Sequence, residues 1–97
     1  MNAFITYDVS NNGQKEVKDG MKKIGYHDRW LKDNITYYLP ETSLWKKDTE
    51  LAQALKDIKA VISKANESRP ANDKIRLVRC IVVSAHPSDG IPGEPHS

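Results

Sequence analysis

Cysteine and net charge are both scarce in this chain, and each shortage closes off a class of protein. Of 97 residues one is cysteine, Cys80, so no disulfide can form within the chain. With that single thiol and three scattered histidines, His27, His86 and His96, no zinc-ligand spacing is present either. No apolar run is long enough to span a bilayer, and the N-terminus carries no signal-peptide core, so the expectation is a protein of a reducing cytoplasm with no membrane partner. Fifteen basic against thirteen acidic residues give +2, too little for a global field that would gather nucleic acid or membrane, so any electrostatic footprint is local.

What is present is the pattern of one small folded domain. The length allows one modest core between a sheet and a helix layer. Ala3 to Val9 is rich in β-branched and aromatic residues and reads as a first strand, closed by the turn formers Ser10, Asn11, Asn12 and Gly13. Val17, Met21 and Ile24 recur at helical spacing between Gln14 and Ile24, with lysines on the other face. Gly20 costs that helix about 1 kcal/mol relative to alanine, which points to close packing. Gly25 stands where a left-handed C-cap is wanted.

Two short segments, Tyr26 to Lys32 and Ile35 to Leu39, are separated by Asp33-Asn34, the composition of a two-residue hairpin turn. Pro40 to Ser43 ends the second of them, and Asp48 or Thr49 is placed to cap the next helix. Leu51, Leu55, Ile58, Val61, Ile62 and Ala65 form that helix's apolar stripe. Glu67 to Asp73 reads as a loop, and Ile75 to Ser84 as a strand apolar enough to be covered on both faces. The order is therefore βαββαβ: an α+β, ferredoxin-like domain over residues 1–85, with a four-stranded antiparallel sheet and two helices on one face, then a Pro- and Gly-rich flexible tail over 86–97.

Alternation sends Ile5, Tyr7 and Val9 to one side of the sheet and Phe4, Thr6 and Asp8 to the other. An open face backed by so apolar a last strand is expected to pair with a second copy, giving a homodimer. The competing expectation is that the tail folds back over it.

The opening Phe4-Ile5-Thr6-Tyr7-Asp8-Val9-Ser10-Asn11-Asn12, followed by a basic helix ending Met21-Lys22-Lys23-Ile24-Gly25-Tyr26, resembles the start of the smaller universal CRISPR adaptation protein and its relatives. Those relatives include VapD-like toxin ribonucleases and SinR-like chromosomal proteins. The segment Tyr37 to Trp45 departs from the CRISPR protein and points toward the non-CRISPR relatives. The resemblance implies a small ferredoxin-like dimer in which Asp8 is the catalytic carboxylate and ligand of a Mg²⁺ or Mn²⁺ ion shared across the two-fold axis, serving an endoribonuclease of toxin-like or defence-associated type. From the residues alone, the commoner role of an aspartate at a strand end is that of a turn former, here bonded to the amides of Ser10 or Asn11.

Ser10 and Asn11 could present donors to a phosphate beside the helix N-terminus, or serve as ordinary caps. Arg29, beside His27, is a candidate phosphate clamp, and Lys74, Arg76 and Arg79 give the last strand a basic character suited to RNA or DNA. Lys46-Lys47 and the aromatics Trp30, Tyr37, Tyr38 and Trp45 add to that reading. The plainer alternative puts a tyrosine in the core, Trp45 at the start of the second helix and the lysines in solvent. No paired aromatic motif of an RNA-recognition sheet is evident. A non-catalytic nucleic-acid-binding or protein-assembly dimer, and a regulatory protein that binds another protein, are the rival functions.

Overall fold

Strict alternation in the first seven-residue strand organises the rest of the molecule. In the computed structural model, which describes residues 2–84, β1 (Ala3–Val9) buries Ala3, Ile5, Tyr7 and Val9 and leaves Phe4, Thr6 and Asp8 partly open. Helix α1 (Gln14–Lys23) lays Val17 and Met21, one turn apart, into the same core. It stops in a Schellman turn: Gly25 takes φ 102°, its N–H donates to Lys22 O at 3.1 Å, and the N–H of Tyr26 donates to Met21 O at 3.1 Å.

The hairpin forms where the Asp33-Asn34 turn requires it. β2 (Arg29–Lys32) pairs antiparallel with β3 (Ile35–Tyr38), and Asp33 and Asn34 both take positive φ, 52° and 65°, as a type I′ turn demands. Its place in the molecule differs from expectation. β2 and β3 make a sheet of their own, an arm closed at its base by the Leu39 N–H donating to Asp28 O at 2.9 Å.

The neighbour of β1 is instead β4 (Ser43–Lys46), in the stretch read as a connection, and the main sheet runs β4-β1-β5 with all pairs antiparallel. The reason is burial. Ser43 and Leu44 are 3% and 0% exposed, whereas no residue of β3 is buried and Ile35 and Leu31 stand 44% and 69% exposed. A segment that presents no apolar face to the helices gains nothing from a central place in the sheet. On the far side of β4, His27 and Trp45 exchange both backbone hydrogen bonds, at 2.8 and 3.0 Å, as an isolated bridge.

Helix α2 (Leu51–Asn66) buries Ala54, Ile58 and Ile62, with Leu51, Val61 and Ala65 at the core's margin, while Leu55 lies outward. Its N-cap is Glu50, without a side-chain bond. Asp48 adopts a turn with φ 52°, and the Thr49 hydroxyl donates to Lys47 O, so neither of the expected caps is used. Both helices close over the buried face of β1, and Tyr26 joins them by donating its hydroxyl to Asp57 at 2.9 Å. The core tyrosines are thus Tyr7 and Tyr26, and Tyr37 and Tyr38 are only half-buried.

After α2, a short 3₁₀ turn (Ala71–Asp73) leads into β5 (Leu77–Ser84). Asn66 replaces a strand partner there: its amide accepts from Ile75 N at 2.7 Å and donates to Ile75 O at 2.9 Å. β5 is covered on one side only, because Leu77, Cys80 and Val82 meet the core whereas Ile81 and Val83 are 62% and 43% exposed. The stretch 86–97 lies outside the described residues. Among the described residues, no helix is long and apolar enough to cross a membrane.

Candidate nucleic-acid interface

Directly opposed residues on antiparallel strands share a face, so the register of the main sheet spells out its open side. Phe4 stands between Trp45 on β4 and Val83 on β5; Thr6 stands between Ser43 and Ile81; Asp8 faces Arg79. The first row continues outward to His27, whose ring centroid is 5.1 Å from that of Trp45. Trp30, from the root of the arm, packs on Trp45 at 4.1 Å, and the Trp45 indole N–H donates to Arg29 O at 2.6 Å. Trp30 and His27 therefore pack on Trp45, and Phe4 stands directly opposite Trp45 on the side of the sheet away from the helices. Phe4, Trp30 and Trp45 are each half-buried and His27 is exposed. The pairing of Phe4 with Trp45 was hidden from sequence reading because Trp45 lies in a strand that the sequence pattern did not reveal.

At the other end of the face, Asp8 accepts from Arg79 Nε at 3.0 Å. Its carboxylate is thus matched by a guanidinium across the strands. Among the described residues no group of three or more His, Cys, Asp or Glu side chains gathers anywhere. Mg²⁺ is commonly held by one or two carboxylates with waters completing its six-oxygen shell, and Asp8 brings one carboxylate to this end of the face.

The remaining expected contacts separate into two kinds. Ser10 and Asn11 are stitches between the first turn and the start of β5. Arg76 N donates to Ser10 Oγ at 2.8 Å, Ser10 N to Arg76 O at 3.0 Å, and Asn11 Nδ2 to Lys74 O at 2.5 Å. The N-cap of α1 is Gly13, with no side-chain cap. Lys74 turns its ammonium inward to the carbonyls of Asn66 and Arg69, beside an Arg69 that reaches Glu16, Asp73 and the Asn11 carbonyl. Arg76 and Arg79 expose their side chains, and so does Arg29.

Arg29 opens onto a second feature, a cleft of about 370 Å³ between α1 and the root of the arm, lined by Gln14, Lys15, Lys18, Asp19, Lys22, Asp28, Arg29 and Glu41. At its floor Asp28, 5% exposed, accepts from Arg29 Nε at 2.9 Å and meets Lys22 Nζ at 3.5 Å. Burial by itself works to raise this carboxyl's pKa, but the Arg29 hydrogen bond and the charges of Lys22, Arg29 and Lys18 outweigh it and hold the group at about 2. The Arg29 guanidinium, bonded to Asp28 and lying 5.0 Å from the Tyr38 ring centre, is held the more firmly protonated. The spacing Lys15, Lys18, Lys22 on one helix face was the available sequence signal; that Asp28 lies beneath it was not.

Cys80 sits opposite Tyr7 on the core side, where burial raises its thiol pKa despite Lys59, so it is no activated nucleophile. The chain matches no family model, no curated protein and no solved structure.

Proposed function

We propose that this chain binds single-stranded nucleic acid on the open face of its sheet, without catalysis. The observation that carries the reading is the aromatic group, in which Phe4 and Trp45 are directly opposed on neighbouring strands with Trp30 and His27 packed beside Trp45. Nucleobases stack on such surfaces whatever their sequence, at about 1–3 kcal/mol per base. Arg79 supplies the same face with a cation for the backbone, and its bond to Asp8 through Nε holds it in place. In architecture the chain is read as a variant of the ferredoxin-like plan. The expected second strand is reduced to the bridge at His27, and the β2–β3 arm is inserted before the third.

Tryptophan fluorescence on titration with single-stranded oligonucleotides tests this. Quenching is expected, and Phe4→Ala should weaken binding roughly tenfold, the worth of one stacked base, while leaving the far-ultraviolet spectrum unchanged. Absence of quenching, together with a dimer by light scattering that dissociates in Ile81→Asp, would give the face to a second copy of the chain.

A second reading, a metal-dependent endoribonuclease of the toxin-like or defence-associated type, is favoured by one observation: Asp8 is half-exposed on the face a second copy would meet. On that reading the ion is shared by Asp8 of both copies. Metal-dependent RNA cleavage lost in a still-dimeric Asp8→Asn protein would establish it, and equal residual cleavage in both proteins would dismiss it.

A further inference from the structure

We infer that the cleft beside the open face receives backbone phosphates of the same strand, with Lys22 and Arg29 as the phosphate contacts and Asp28 as the residue that positions them. This rests on the nucleic-acid reading above and extends it around the edge of the molecule. Arg29 joins the two surfaces, because its carbonyl holds the Trp45 indole while its guanidinium lines the cleft. Arg29 and Trp30 are consecutive in β2, so their side chains leave on opposite faces, and a strand bound on the aromatic group would turn over the root of the arm to reach the guanidinium.

The local chemistry favours a phosphate. Asp28 engages Arg29 through Nε, which leaves the Nη pair of the guanidinium for a forked contact with phosphate oxygens. The same carboxylate holds Lys22 from the opposite wall of the cleft. Asp28 itself is turned inward, its side chain 7% exposed, whereas those of Lys22 and Arg29 are 43% and 53% exposed. The charge of Asp28 is thus withdrawn beneath two cations that face outward, while Asp19 and Glu41 stand exposed on the same lining, four cations against three carboxylates in all. Lys18 adds a third cation to the wall, and Lys15, paired with Asp19 at 3.4 Å, contributes little.

The test compares labelled oligouridylates of about four and about twelve nucleotides by fluorescence anisotropy, across roughly 50 to 200 mM NaCl. The short one fills the aromatic face alone. Two extra phosphate contacts should steepen the salt dependence of the long one by about 1.4 in the logarithmic slope, about 0.7 for each contact. Lys22→Gln should remove about half of that increment and leave the short oligonucleotide's binding unchanged. Arg29→Gln should likewise lower the slope for the long one. Asp28→Asn discriminates by sign: if Asp28 positions the cations, the long oligonucleotide binds more weakly, whereas a merely repelling carboxylate would give tighter binding on removal.

Equal slopes for the two lengths, or a wild-type slope in Lys22→Gln, would overturn the inference while the aromatic reading stands. Failure of both lengths to bind would overturn the aromatic reading itself. Inorganic phosphate that shifts the Lys22 and Arg29 resonances at constant ionic strength, with no length dependence of the slope, would make the cleft a site for free phosphate instead.

Discussion

At the scale of single residues, two glycines are set by their neighbours' side chains. A Cβ on Gly13 would lie 2.8 to 2.9 Å from three side-chain atoms of Ile75, which is 2% exposed and fixed on both backbone groups by Asn66. Ile75 has nowhere to move. Gly13→Ala is therefore expected to cost about 1–3 kcal/mol by overpacking, read as a lower urea midpoint with an unchanged slope. At Gly20 the contact is with one methyl of Val61, at 2.6 Å. The tight packing that a glycine inside a helix foretold is there, but a half-buried valine has more room to yield. Tyr7 is a residue-scale exception to good packing. Its hydroxyl is buried with no hydrogen-bond partner among the described residues, and burial pushes its pKa up to about 12.

At the scale of elements, the arm beyond its root at Arg29 and Trp30 stands apart from the main sheet. β2 and β3 pair with each other and with no strand of the main sheet, and their turn is built from two residues that tolerate positive φ. Trp30 and Tyr37 are directly opposed, so residues 31–36 can be exchanged for an Asn-Gly turn that joins them without disturbing the base of the arm. The shortened protein is expected to keep its cooperative unfolding, with a thermal midpoint within a few degrees of the parent, because Leu31 and Ile35 are exposed and bury nothing. A collapse of the thermal transition in that protein would show that the arm belongs to the core. By contrast β4, though only four residues long, carries Leu44 at 0% exposure and is not expendable.

At the scale of the whole molecule, the buried carboxylate of Asp28 ties stability to pH. Its pKa in the folded protein, about 2, lies below the ordinary 3.8, so its ionised form contributes stability that is fully present above about pH 3.8. That contribution is lost as the pH falls from about 3.8 toward about 2. The urea midpoint should decline over this interval, and in Asp28→Asn it should decline less while starting lower at neutral pH. There, the charges of Lys22, Arg29 and Lys18 repel one another without the carboxylate between them. Equal acid limbs in the two proteins would mean that Asp28 does not set the acid stability.

The sequence by itself determined the local elements. The first strand, both helices, the Gly25 stop and the Asp33-Asn34 turn follow from periodicity and backbone preference, which act over a few residues and are written in adjacent letters. Even the two faces of β1 were legible from alternation. What only the tertiary structure decided is which strand stands beside which. Ser43 to Lys46 is too short to announce itself, and it outranks the more strand-like hairpin because Leu44 reaches the helices and no residue of β3 is buried. The candidate sites share that origin. Phe4 meets Trp45 from 41 positions away only through sheet register, and Lys22 meets Arg29 only over a carboxylate whose burial depends on the packing of α1 against the root of the arm. Charge and aromaticity were visible along the chain, but their convergence is a property of long-range pairing, which local pattern does not encode.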